Sequence, residues 1–323
     1  MFARFSAEEP IGLAGNSAKQ LKIERPSLPE MRLVPGGIST LGSGLSARRV
    51  TTAPFWIDAT AVTNRMFANF VVATGYVTLA ETPLDQESYP TVPKELLRAG
   101  STVFAPGRER ADLQDWSNWW AFRFGACWRR PYGINSSIAG LEDHPAVHIA
   151  FEDAQAFAKW IGKELPTEAE WELAAWDGCL DRAYPWGEEF TPNNCHMANT
   201  WQGSFPYENL RADGYARTSP VHAFPPNRYG LYDMLGNVWE WTAEIPSDGE
   251  FPHDGNCGLE APLAARERRG NGTTTAPHLY RVIKGGSFLC VPDRCNDIGR
   301  NARRTHRIDA PACHIGFRCV VRA

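Results

Sequence analysis

Glycine and proline interrupt this chain 28 and 24 times in 323 residues, and that punctuation weighs against long helices. Each glycine permits a bend and each proline removes a backbone donor. Regular elements are therefore expected to be short, with many turns and much ordered loop between them. The 12 tryptophans give such loops large surfaces to pack on. Bound cations, held by carboxylates and backbone carbonyls, would fix them further. No internal repeat is visible.

Three helices stand out. The first has Thr63 as its N-cap, an apolar face of Met66, Phe67, Phe70 and Val71, and Gly75 at its end. The second spans 153–161, with Ala154, Phe157, Ala158 and Ile161 on one side and Gly162 after it. The third opens at Thr167 with a capping box to Glu170 and turns Trp171, Ala174 and Ala175 inward. Short strands are expected at Met31–Val34, 55–59, 281–284 and 317–321. The segment 1–28 reads as a loose arm, and a polar stretch near 247–275 as a linker.

Hydrophobic content of 43%, charged content of 22% and a net charge of −4 describe a soluble globular protein. No charge run asks for nucleic acid or an anionic membrane, and no apolar run could span one. Met1 to Pro10 lacks the apolar centre of a secretory signal, so the cytoplasm is expected; a monomer is expected as well.

Eight cysteines lie at 127, 179, 195, 257, 290, 295, 313 and 319. Most read as small buried apolar residues. Only Cys290 with Cys295 and Cys313 with Cys319 are close enough in sequence to suggest pairing. Cys290 and Cys295 follow the turn Gly285-Gly286-Ser287. Five positions apart, they fall on different faces of a helix or strand, while Pro292, Asp293 and Arg294 favour a loop that can turn both sulfurs inward. Two such thiols can hold a soft metal ion or exchange a disulfide.

A set of phrases runs in order through the chain. Among them are Thr63-Asn64, Gly125-Ala-Cys-Trp-Arg129, Leu165-Pro-Thr-Glu-Ala-Glu-Trp-Glu172, Tyr184-Pro-Trp-Gly187, Gly236-Asn-Val-Trp-Glu-Trp241, Lys284-Gly-Gly-Ser287 and Gly316-Phe-Arg-Cys319. Together they resemble the formylglycine-generating enzyme family, the sulfatase-modifying factors, over residues 31–322. The resemblance implies an α+β fold with little regular secondary structure, the C-type-lectin-like variant, as one compact domain over 29–323. It implies oxidation by dioxygen, with copper, of a cysteine in a Cys-x-Pro-x-Arg segment of an unfolded or nascent sulfatase polypeptide.

By the same resemblance, Cys290 and Cys295 hold Cu(I), leaving a side open for a substrate thiol. Ser287, Trp239 and Arg303 line the catalytic pocket, and His314 contacts substrate. Asn199, Thr200, Asp213 and Tyr215 form one Ca²⁺ site, and Asp233, Gly236, Val238 and Glu240 a second. Hard oxygen ligands from loops suit calcium.

Some positions depart from the family pattern. Cys295 is followed by Asn296-Asp297, where an aromatic residue and an arginine are usual. Ala158 and Ala175 replace cysteines of the secretory enzymes, and Arg130 replaces a histidine. Asp233 stands where asparagine is common. Two other readings share the fold: a non-catalytic binding module, and an iron-dependent sulfoxide synthase. His144, His148, His196 and His314 lack iron-site spacing, which weighs against the latter.

Overall fold

The architecture, a computed structural model, is described for residues 30–42, 47–83, 85–87, 93–94, 97–107, 118–178, 182–247, 279–291, 298–300 and 302–322. Cys295, the arm 1–28 and most of the segment 247–275 lie outside these residues.

Short strands and three helices alternate with long loops. The strands are β1 (Met31–Val34), β2 (Gly37–Leu41), β3 (Arg48–Thr52), β4 (Phe55–Asp58), β5 (Gly100–Phe104), β6 (Trp120–Phe124), β7 (Trp239–Trp241), β8 (Tyr280–Lys284), β9 (Arg303–Arg307), β10 (Ile315–Gly316) and β11 (Val320–Arg322). The helices are α1 (Asn64–Thr74), α2 (Phe151–Trp160) and α3 (Glu168–Ala175). One sheet has the order β1-β4-β11, a second β10-β7-β8-β9, and two hairpins pair β2 with β3 and β5 with β6.

The helix ends follow from local chemistry. Thr63 Oγ1 accepts from the Met66 N–H at 3.3 Å, and Gly75, at φ 69°, closes α1. Thr167 and Glu170 form the expected box: Thr167 N–H donates to Glu170 Oε2 at 2.7 Å and Glu170 N–H to Thr167 Oγ1 at 3.2 Å. Helix α2 begins earlier than its sequence suggested. Asp153 is not its first residue; from inside the first turn its Oδ2 accepts the Ala150 N–H at 2.8 Å, which secures one of the donors a helix start leaves unpaired.

The expected strand over 317–321 is broken. Ile315 and Gly316 pair with β7, whereas Val320 to Arg322 pair with β4. Between them Arg318 is fully buried. Its guanidinium donates to both oxygens of Glu240, at 2.7 and 2.8 Å, and to the Tyr232 carbonyl at 2.7 Å. The Cys319 N–H goes to Asp58 Oδ2 at 3.0 Å. A buried guanidinium with these acceptors outweighs continuation of the ladder.

The main core lies between α1, α2 and the sheet that carries β7. Phe67 stacks on Phe157 at 5.9 Å, and Phe317 meets Phe157 edge-on at 5.3 Å. A second core packs α3 against β1 and β4 through Trp171, Leu173, Ile57 and Val34. A third surrounds the loop after β8, and this one positions the site.

Candidate active site

Strand β8 ends at Lys284 and the chain turns at Gly285 and Gly286, at φ 96° and 77°. A side chain at Gly285 would bring its Cβ to 3.0 Å from Trp171, so both the turn and the close approach require glycine. The loop is then anchored twice to the segment before β7. Gly236 N–H donates to the Gly285 carbonyl at 2.9 Å, and Phe288 N–H to the Asn237 carbonyl at 3.0 Å.

Ser287 and Cys290 close a tight turn, with Cys290 N–H donating to the Ser287 carbonyl at 2.9 Å. The Ser287 N–H points back at Cys290 Sγ, 3.3 Å away, and its Oγ lies 3.9 Å from that sulfur. Both residues are buried, Ser287 at 0% and Cys290 at 2% exposure. The Cys290 carbonyl accepts from the Trp201 N–H at 3.0 Å, which ties the turn to the loop holding the first expected calcium ligands.

Trp239 shares the main core cluster with Cys290. Its backbone N–H donates to the His314 carbonyl at 2.9 Å, so Trp239 is tied to His314 by a backbone bond and shares packing with Cys290. The His314 ring lies 4.8 Å from Trp120, and neither ring nitrogen has a partner among the described residues. Burial holds its pKa well below the usual histidine value, with His306 and His148 adding to the effect. Arg303 is set differently: on β9, opposite Lys284, its Nε donates to Glu168 Oε1 at 2.7 Å. Its described bond thus runs to α3.

Sequence reasoning missed the wall around this turn. Phe104, Trp119, Trp120 and Trp201 cluster with Phe288, Leu289 and Cys313. Cys313 Sγ accepts from the Phe104 N–H at 3.2 Å, and burial pushes the thiol up to about 11. Cys313 and Cys319 are both unbridged, and they sit in separate clusters. The tryptophan count was the signal available for this wall; it gave no positions.

The first expected calcium set is gathered around Asp213. Its Oδ2 accepts from Thr200 N–H at 3.1 Å and its Oδ1 from Tyr215 N–H at 2.9 Å. Asn199 Oδ1 is buried without a partner, while its Nδ2 donates to the Arg217 carbonyl at 2.8 Å. The Gln202 amide bridges the Thr200 carbonyl and Asp213 Oδ2. An orphaned amide oxygen beside a carboxylate and carbonyls fits a hard cation, for which the Gln202 N–H group would move aside.

In the second set Asp233, at φ 52°, is held against Asn237, whose Nδ2 donates to its Oδ2 at 3.3 Å. Its Oδ1 is buried and unpartnered, and burial raises its pKa to about 7. Those features also suit a cation. Glu240 is already engaged by Arg318 and by Trp171 Nε1, at 2.8 Å. Val238 is buried, and the backbone of Gly236 abuts the Asn199 carbonyl, so the two sets adjoin. For copper, Cys290 Sγ is the soft donor described, and it fits a monovalent ion.

Comparison with known proteins identifies the family. The sulfatase-modifying factor enzyme 1-like domain matches residues 17–323. A formylglycine-generating enzyme of Mycobacterium tuberculosis is 44% identical over 91% of this chain and 98% of its own. The Mus musculus enzyme of that name is 37% identical over 91% of this chain and 75% of its own. A mouse protein named inactive Cα-formylglycine-generating enzyme 2 is 34% identical over 94% and 89%. Among solved structures, PvdO from Pseudomonas aeruginosa superposes with a TM-score of 0.54 at 25% identity, covering 90% of this chain and 94% of that one. The chain belongs to the formylglycine-generating enzyme family of sulfatase-modifying factors.

Proposed function

We propose that this protein oxidises a cysteine in a Cys-x-Pro-x-Arg segment of a sulfatase polypeptide to Cα-formylglycine. The observation that carries the reading is the Ser287–Cys290 turn, a buried sulfur faced by an N–H donor, in a chain of this family. Cys290 and Cys295 would hold Cu(I), which supplies the one-electron chemistry that dioxygen requires. The balance is one substrate thiol, one O₂, two electrons and two protons giving one aldehyde, one H₂S and one water. The two electrons come from an external thiol reductant.

The chain's own residues orient the reactants and exclude water. Ser287 presents its N–H and hydroxyl to the Cys290 sulfur. Trp201 anchors the turn from the other side. His314, kept neutral by burial, offers an uncharged imidazole to a substrate group. Trp239 fixes it through the His314 carbonyl. Arg303, held to Glu168, would shape the rim. Ca²⁺ at Asn199, Thr200, Asp213 and Tyr215, and at Asp233, Gly236, Val238 and Glu240, would brace the loops that carry Trp201 and Trp239. Among the described residues no helix is long and apolar enough to cross a membrane.

The test loads the protein with Cu(I) and supplies O₂, a thiol reductant and the peptide. The expected product is an aldehyde, seen as a mass loss of about 18 Da. Cys290→Ser lowers conversion by at least about a thousandfold while the protein stays folded. No aldehyde from the copper-loaded protein would defeat this reading. It would then favour a binding module on the same fold, a possibility raised by the similarity to proteins named inactive.

A further inference from the structure

Asn237, just before β7, makes a hydrogen bond through every polar group it has. It is fully buried, with φ at 59°, a left-handed backbone that asparagine adopts more readily than most residues. Its N–H donates to the Asn199 carbonyl at 2.8 Å, and its carbonyl accepts from the Phe288 N–H at 3.0 Å. Its side chain pairs with Ser219 at two points: Oδ1 accepts from the Ser219 N–H at 3.0 Å, and Nδ2 donates to the Ser219 carbonyl at 3.1 Å. The same Nδ2 donates to Asp233 Oδ2 at 3.3 Å. The main-chain bonds close a ring. Asn199 is joined through Asn237 to Phe288, which precedes Cys290 by two residues, and the Cys290 carbonyl returns to the N–H of Trp201, two residues after Asn199.

One side of this ring is the loop 199–202. There the Gln202 amide, next in the chain to Trp201, rests on the Thr200 carbonyl and on Asp213 Oδ2, oxygens that a hard cation would take. The loop therefore has two arrangements, one with the amide on these oxygens and one with a cation in its place. The other side of the ring is the Ser287–Cys290 turn. Asn199, Thr200, Trp201, Asn237, Phe288 and Cys290 are all buried. A peptide group that loses its bond there finds no water to replace it, so a shift of the loop carries the turn with it. The two-point pairing with Ser219 keeps Asn237 from yielding between them.

We propose that Asn237 is a positioning residue that couples the loop 199–202 to the Ser287–Cys290 turn, so that a divalent cation held at Asn199 and Asp213 keeps the turn closed over its sulfur. The cation then governs how often Cys290 is exposed, although the two sites share no ligand. Linkage makes the effect reciprocal: whatever holds the turn closed also tightens the cation. The proposal rests on the reading of Cys290 as the reactive sulfur and of Asn199 and Asp213 as cation ligands, and its test needs neither copper nor oxidation.

The test follows the labelling of cysteines by N-ethylmaleimide in the copper-free protein, with and without calcium chloride, each site being located by peptide mass mapping. A buried thiol reacts only when its surroundings open. Calcium should slow labelling of Cys290 about tenfold and leave Cys319, also buried, unchanged. Asn237→Gly accepts the left-handed backbone and removes the side-chain bonds. It should erase the slowing while calorimetry still shows Ca²⁺ bound. Should that variant not fold, Asn237→Asp, which keeps the bond from the Ser219 N–H and loses both bonds from Nδ2, is measured in its place with the same expectation. Equal slowing at Cys290 and Cys319 would mean that the cation merely stabilises the whole fold, and would overturn the proposal. So would an absence of slowing, or a slowing that survives in the variant. Aldehyde formation by the copper-loaded protein is measured separately. Slowing without aldehyde leaves the coupling standing and defeats the oxidation, whereas aldehyde without slowing does the reverse.

Discussion

Two aromatic clusters, both buried, differ in what happens to their polar edges. Around α1 and α2 the rings are mostly phenylalanine: Phe67, Phe70, Phe157 and Phe317 interlock at 5.3–6.4 Å. The indole of Trp241, at the edge of that core, donates to the Ile149 carbonyl at 2.9 Å. Around the Cys290 turn the rings are largely tryptophan, and the Nε1 atoms of Trp119, Trp120 and Trp201 have no partner among the described residues. Both nitrogens of His314 share that condition. The rings are buried in both places, so burial alone does not distinguish a core from a site wall. What differs is how densely unpaired donors gather: three indoles and an imidazole lie together at the turn, whereas Trp176 is the one such indole in the α3 core, and each unpaired buried donor carries a cost. Trp128 is the exception in the first cluster: its Nε1 is unpartnered, and Arg129 covers its ring at 4.7 Å.

The largest expected effect breaks the first cluster. Phe157→Ala should cost about 3–5 kcal/mol of stability, because four aromatic neighbours close on that ring. Conversion per folded molecule should be unchanged. Chemical denaturation and active-fraction titration measure the two quantities. A specific loss of activity in the folded variant would show that the clusters are not separable.

A smaller effect sharpens the contrast. Trp241→Phe and Trp201→Phe remove the same atoms, but only the former strands a buried carbonyl. Trp241→Phe should therefore be the less stable by about 1–2 kcal/mol, whereas Trp201→Phe should be the less active. Equal stabilities in denaturant melts would mean that unpaired indoles do not mark the wall.

How much of this was legible in the sequence depended on the range of the interaction. The caps of α1 and α3 were, because Thr63 with Gly75 and Thr167 with Glu170 act over a few residues. The Gly285-Gly286-Ser287 turn was, for the same reason, and so Cys290 was found. The break at Arg318 was not: its partners Glu240 and the carbonyls of Asp58, Ala59 and Tyr232 lie far off in the chain, and a 317–321 apolar pattern hides them. The Asn237–Ser219 pairing joins two loops with no period to announce it. The resemblance supplied Trp239, His314 and the oxygen-rich loops, yet the indole wall needed three-dimensional placement.

The smallest effect concerns a polar group within the first cluster. Asp153, beside Ala154 and Phe157 on α2, accepts from Ala150 N–H at 2.8 Å, Leu79 N–H at 3.1 Å and the Tyr76 hydroxyl at 3.1 Å. Burial raises its pKa to about 7, and these three donors only partly oppose that rise. The folded state therefore holds the proton over a range in which the unfolded chain, titrating near 3.8, has released it. The contribution is fully present below about pH 4 and is lost as pH rises through about 7. Asp153→Asn cannot titrate, so the stability gap between wild type and variant should narrow from pH 4.5 to 7.5. Thermal melts at the two values measure it. A gap that widens instead would mean that the three donors outweigh burial and hold Asp153 ionised, making it a satisfied anion within an otherwise dry core.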